Sequence, residues 1–199
     1  MTAAVFHARG GGYPLGMTLK EYRRRRASGR SPEPRGRRRG RSRKSPRFVI
    51  QHHAATTDHY DVRLEIDGVL VSWAVPKGPS INPKDKRMAR RTEDHPMEYR
   101  DFEGVIPKGE YGAGRVIVWD RGTYTSDRDM AEGLECGHLS FRLNGEKLHG
   151  GFALTRLRTG KDEAWLLVKK SDEDADGRRK PVRSQPESVL SGRTLDELS

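Results

Sequence analysis

Only one cysteine, Cys136, occurs in 199 residues. A lone thiol excludes an internal disulfide framework and any Cys-based zinc finger. No apolar run approaches the roughly 20 residues a membrane helix needs, and no signal-peptide core opens the chain. Hydrophobic residues are scarce, at 33% against 34% charged, so part of the chain is expected to lie outside any packed core. Acids are in deficit, but only locally. From Arg23 to Arg47 there are thirteen Lys or Arg and one acid, Glu33; that +12 exceeds the whole chain's +11 and leaves −1 for everything else.

A guanidinium-rich run of this kind releases counterions from a phosphate backbone and points to nucleic acid. The plainer alternative is a solvated tail with incidental charge. With few apolar residues to bury, the run suits a membrane surface poorly. The expected location is cytoplasmic, associated with the nucleoid.

Residues 1–17 are Gly-rich and read as a disordered N-terminus. Residues 18–46 read as a leader helix and a flexible Arg-rich arm. Thr18 and Glu21 form a capping box, the helix runs from Leu19 to about Ala27, and Ser28–Pro46 lacks periodicity. Residues 47–170 carry short strands punctuated by turns, which predicts a mainly β fold, a compact closed or nearly closed β-barrel. Asp67-Gly68 and Asn144-Gly145 mark hairpins, Ser126–Cys136 fits a short helix, and Gly104–Gly114 is too rich in breakers for regular structure. Residues 171–199 read as a polar C-terminal tail, with a second capping box at Thr194 and Glu197 before a helix too short to be firm.

The densest chemistry lies between Gln51 and Glu65. Tyr60, Val62, Leu64 and Ile66 alternate with Asp61, Arg63 and Glu65, so His59, Asp61 and Arg63 share a strand face. On the preceding strand Gln51 and His53 share a face, and His52 points away. Imidazole with carboxylate suits a divalent transition metal, and a neighbouring Arg suits a phosphate. The competing view is an ordinary surface strand with charges on its wet face. His138 and His149 stand beside turns without a carboxylate at ligand spacing.

Four stretches carry a resemblance: Phe48–Glu65, Ser72–Ser80, Glu93–Tyr99 and Phe102–Gly114. In order and spacing they resemble the 3′-phosphoesterase domain of bacterial DNA ligase D. Leu19–Tyr22 and Pro32-Glu33-Pro34 resemble that family's leader. The likeness spans roughly residues 18 to 170. It implies a β-barrel with a Mn²⁺ site, other divalent transition metals being alternatives. The implied activity trims DNA 3′ ends during non-homologous end joining, removing a terminal ribonucleotide and then the 3′-phosphate. The implied substrates are primer-templates or 3′ ends bearing a ribonucleotide or phosphate. Separate ligase and polymerase modules and Ku are the implied protein partners. Lacking a nucleotidyl-transfer lysine motif, the chain reads as a stand-alone enzyme or an excised module.

By the same resemblance His53, Asp61 and His95 are the metal ligands. His59, Arg63, Gln51 and Tyr99 complete the site, with Arg26 and Glu33 from the leader. The family's leader has an acid directly after the Arg; here it is Ala27. His59 could transfer a proton or orient a ligand. Arg63 is expected to fork onto the phosphate, or else to pair with an acid on its own face. Gln51 is expected to position substrate, and Lys77 and Arg87 to add phosphate contacts. Two rivals stand beside the enzyme: a non-catalytic nucleic-acid-binding module, and a cupin-like metalloenzyme acting on a small molecule. The His53, Asp61, His95 trio argues against the first, the basic arm and Arg63 against the second.

Overall fold

A computed structural model describes residues 19–26, 31–34 and 45–198. The predicted loose N-terminus, the Thr18 cap, Ala27 and the centre of the Arg-rich arm lie outside these residues. Nine strands form one antiparallel sheet: β1 (Arg47–Ala54), β2 (Asp58–Ile66), β3 (Val69–Val75), β4 (Arg87–Arg91), β5 (Gly104–Ile106), β6 (Gly114–Thr125), β7 (His138–Gly145), β8 (His149–Arg158) and β9 (Ala164–Lys169). The order β1-β2-β3-β4-β9-β8-β7-β6 returns to β1 through a β1–β6 pairing, so eight strands close a barrel. β5 hangs on β6 outside that ring. Closure removes the exposed edges that an open sheet would present.

The β2–β3 turn is the tight one expected. Ile66 pairs with Val69, while Asp67 (φ 49°) and Gly68 (φ 76°) take the left-handed conformations a two-residue primed turn requires. The second hairpin differs. Asn144 still pairs with His149, and the chain turns beyond it. The Asp120 carboxylate gathers the backbone N–H groups of Glu146 (2.8 Å), Lys147 (3.0 Å) and Leu148 (3.0 Å), and so shapes a longer loop.

Helix α1 is Leu19–Arg25 and helix α2 is Met130–Cys136, capped by Asp129 at its start and by Gly137 (φ 80°) at its end. Gly104–Gly114, expected to be irregular throughout, supplies β5 at its start. The segment after Lys170 is fastened to the barrel. Helix α3 (Pro181–Ser184) precedes Gln185, whose carbonyl accepts from Trp119 Nε1 (2.7 Å), and Val189 N donates to Val118 O (2.9 Å). The Thr194–Glu197 capping box forms over a 3₁₀ turn, Leu195–Glu197.

Two apolar layers flank the β1–β3 face. Phe48, Ile50, Tyr60, Val62, Leu64, Trp73, Trp119 and Trp165 fill the barrel interior. Outside it, Tyr22 from α1, Tyr99 and Phe102 from the 3₁₀ segment Met97–Asp101 and its end, and Ile106 from β5 pack over Val49, Leu70, Val116 and Val118. β2 is therefore buried on both faces from Tyr60 to Ile66. Its charged residues face a second layer of protein, where an ordinary surface strand would face water. Burying polar groups costs several kcal/mol, on the order of 2–7 each, unless every one is partnered. The partners are the site.

Candidate active site

Pairing fixes the geometry. His53 lies opposite His59 and Gln51 opposite Asp61 across β1–β2; Asp61 lies opposite Ala74 and Arg63 opposite Ser72 across β2–β3. A bulge in the β1–β6 register falls at Ile50/Gln51, just before the strand delivers Gln51 and His53. His53, Ala55, His59, Asp61 and Arg63 line a cleft of about 260 Å³ on the barrel's outer face. Its other walls are Arg26, Glu33, Thr92, Glu93, His95, Tyr99, Ile106, Tyr111 and Gly112.

Both imidazoles are held from behind. His53 Nε2 lies 2.9 Å from Gly112 O, and His59 Nδ1 lies 2.7 Å from Thr57 O. A carbonyl only accepts, so each ring carries its proton there and leaves its other nitrogen as a lone pair. Those free atoms, His53 Nδ1 and His59 Nε2, are each 3.7 Å from an oxygen of Asp61. Ligand atoms of the three residues all lie within 4.8 Å of one another. Two imidazole nitrogens and one carboxylate oxygen, oriented by backbone carbonyls, fit a divalent first-row metal. Burial pushes the Asp61 carboxyl up, but Arg63, His53 and His59 override it and hold the group well below the usual carboxylate range. Burial also opposes the charge on His59, yet Asp61 wins and its pKa is raised.

His95, which the resemblance places among the metal ligands, lies outside this group of three. An isolated bridge between Leu70 and His95 sets His95 behind Arg63. His95 Nδ1 is 2.8 Å from Arg63 Nη1 and 2.9 Å from Glu93 O, leaving Nε2 as its remaining polar atom. Burial first, then the charges of Arg63 and Arg26, hold its pKa well below the ordinary value. Among the metal-ligand groups formed by the described residues, His95 has no part.

Of the two arrangements expected for Arg63, the structure shows the pair with an acid on its own face, Asp61. Its Nε donates to Gln51 Oε1 (2.7 Å), Nη1 to Ser72 Oγ (2.9 Å) with His95 Nδ1 adjacent, and Nη2 to Asp61 Oδ2 (2.9 Å). Of five N–H groups, these partners leave one, on Nη2. Gln51 does not position substrate by contact. It is fully buried, and its amide nitrogen donates to Tyr99 O (3.1 Å) and Phe102 O (2.9 Å) while its oxygen holds Arg63. It fixes the covering layer to the strand. Tyr99 packs against His95 (4.6 Å between ring centroids) and beneath the Arg63 guanidinium (4.9 Å), and burial keeps its phenol protonated.

The leader closes one wall. Arg26 pairs with Glu33 (2.8 Å) and with Glu93 (2.6 Å), and its guanidinium lies 3.8 Å from the Tyr22 ring centroid. Tyr22 in turn donates to Pro34 O (2.6 Å) and packs on His95 at 5.0 Å. Arg26 and Glu33 both line the cleft. Lys77 and Arg87 do not line the cleft. Lys77 is exposed beyond β3, and Arg87 pairs with Asp85 at 2.8 Å.

The sequence profile of the DNA ligase D 3′-phosphoesterase domain matches residues 51–156, the stretch that builds the trio, Arg63 and His95. The chain belongs to this family. It is 52% identical over 186 residues to the multifunctional non-homologous end joining protein LigD of Pseudomonas aeruginosa, a match covering 92% of this chain and 22% of that protein. The corresponding repair protein of Mycobacterium tuberculosis is 46% identical over 153 residues, covering 77% of this chain and 20% of its own length. That of Mycolicibacterium smegmatis is 42% identical over 166 residues, covering 80% and 21%. The chain therefore spans about a fifth of the curated relatives it matches.

Within this phosphoesterase fold, Glu93, Thr92 and Tyr111 line the cleft without having been singled out in the sequence, and the Gly112 carbonyl joins them through His53. Glu93 carried a signal, an acidic pair just before His95. Gly112 carried none, because its contribution is a backbone carbonyl. Among the described residues no helix is long and apolar enough to cross a membrane.

Proposed function

We propose that this chain is a divalent-metal-dependent phosphoesterase that heals DNA 3′ ends in non-homologous end joining. It removes a 3′-terminal ribonucleotide and then the remaining 3′-phosphate, leaving a hydroxyl. The observation that carries this reading is the pair of imidazoles, each fastened at its far nitrogen and each aiming the near one at Asp61. A tether that only binds nucleic acid has no use for that arrangement.

His53, His59 and Asp61 would hold the ion, with Mn²⁺ the expected one. A bound divalent ion supplies Lewis-acid polarisation of a phosphoryl oxygen and a lowered pKa for bound water. Arg63 keeps Asp61 ionised and has one Nη2 proton left to offer a phosphate oxygen. His95, held neutral, hydrogen-bonds a phosphate oxygen through Nε2. Tyr99 keeps its proton and packs the other side of His95. Arg26 and Arg25 together neutralise Glu33 and Glu93, so the leader does not repel an anionic substrate. Lys77 and Arg87, outside the cleft, are left to contact the nucleic acid beyond the scissile phosphate.

A primer-template with a single 3′-ribonucleotide, incubated with Mn²⁺ or EDTA, tests the reading. Trimming should require the metal and disappear in Asp61→Ala. The same variants, followed by Mn²⁺ electron paramagnetic resonance, separate the two ligand sets. His59→Ala should lose bound Mn²⁺, while His95→Ala should bind it and still fail to trim. Undiminished trimming in Asp61→Ala would sink the proposal.

A further inference from the structure

Tyr111 is the aromatic residue that the proposed chemistry leaves unused. It lines the cleft that holds His53, His59 and Asp61, yet its side chain remains 47% exposed. It rides on the segment between Gly109 (φ 94°) and Gly112 (φ 78°), two left-handed positions that favour glycine. The next residue, Gly112, is the one whose carbonyl holds His53, so the ring is fastened to the metal-ligand frame. The Arg25 guanidinium lies 4.3 Å from the ring centroid, and that of Arg26 lies 5.6 Å away. An exposed ring with cations beside it, at the rim of a phosphate-processing cleft, has the makeup of a platform for a nucleobase.

We infer that Tyr111 stacks against the base of the 3′-terminal nucleoside and so seats the chain end with its phosphodiester at His53, His59 and Asp61. This rests on the reading given under Proposed function and adds to it the feature by which an end is recognised. The cleft beside the ring, about 260 Å³, is close to the small end of ligand-sized pockets. A terminal nucleoside, with no neighbour on its 3′ side, is the one free to lay its base on the ring. Stacking tolerates any base, because every base offers a π face; the platform would choose ends without choosing sequence.

The test uses the whole chain and three primer-templates: one with a 3′-terminal adenosine ribonucleotide, one with an abasic terminal ribose, and one abasic at the penultimate position. Tyr111→Ala should raise KM for the first about tenfold, the order expected for one lost base stack, with a much smaller change in kcat. Tyr111→Phe should behave as the parent. On the terminally abasic substrate, Tyr111→Ala should cause no further loss; on the penultimate-abasic one it should still cost about tenfold. A second readout needs no turnover. With EDTA present, a terminal 2-aminopurine should be quenched on binding to the parent and to Tyr111→Phe, but not to Tyr111→Ala. Equal losses on base-bearing and terminally abasic substrates would overturn the inference, placing Tyr111 with the loop that supports His53. Unchanged quenching in Tyr111→Ala would overturn it as well. If the parent trims none of the three substrates with any divalent metal, the proposed function fails, and the quenching experiment still decides whether the ring stacks.

Discussion

His95 and His59 stand in one cleft, yet their surroundings move their pKa values in opposite directions. Burial and the cations Arg63 and Arg26 depress His95; Asp61 raises His59 against its own burial. The consequences for stability have opposite signs. An unfolded His takes up its proton near about pH 6.5. Folded His95 resists protonation, so acidification through that value favours the unfolded chain. Folded His59 takes its proton more readily; its contribution is fully present below the unfolded pKa and is lost as pH rises through its folded one. The expected outcome is that His95→Gln loses less stability than the parent between about pH 7 and about pH 5. Urea unfolding with EDTA present would measure it. An equal loss in both proteins would mean that His95 is not held neutral.

At the scale of elements, the alternation from Tyr60 to Ile66 made β2 legible, and Asp67-Gly68 made its turn legible, because both signals are local. The layer over β2 was not. Tyr22, the Tyr99–Phe102 segment and Ile106 come from three places along the chain, and only the fold assembles them. β4 escaped notice because Ala89 alone among Arg87–Arg91 is buried, so it shows little alternation. The different settings of His59 and His95 have the same origin: strand spacing placed His59 beside Asp61, but only the Leu70–His95 bridge reveals which ring lies behind Arg63. The C-terminal segment, read as a polar tail, is held by groups that look unremarkable in sequence. Ser188 is buried; its hydroxyl donates to Glu103 and accepts from Leu190 N (2.9 Å) and Ser191 N (3.0 Å). Glu103 Oε1 also accepts from Val118 N (2.7 Å), so Ser188 ties this segment to β6. Ser188→Ala should therefore cost about 1–3 kcal/mol, the range for stranding buried partners. Thermal or urea melts would show it, against a near-neutral Leu190→Ala at an exposed position.

For the whole molecule, the division of charge sets how it would meet a polyanion. The chain outside Arg23–Arg47 sums to −1, so long-range attraction to nucleic acid must come from the basic arm. Phosphate contacts of this kind carry no base information, and their signature is dependence on salt. Deleting residues 35–44 removes seven Lys or Arg and no acid, and it spares Arg26 and Glu33, which wall the cleft. Each duplex phosphate contact contributes about −0.9 to the slope of log K against log salt, so the deletion should flatten that slope by several units. Turnover at saturating substrate should survive, because the trio, Arg63 and the leader clamp remain. Fluorescence anisotropy titrations across a salt series, paired with trimming assays at saturation, would check both halves. An unchanged slope would make the arm a bystander and return the task of holding DNA to the barrel, where exposed Lys77, Lys84, Lys86 and Arg90 would be the next residues to neutralise.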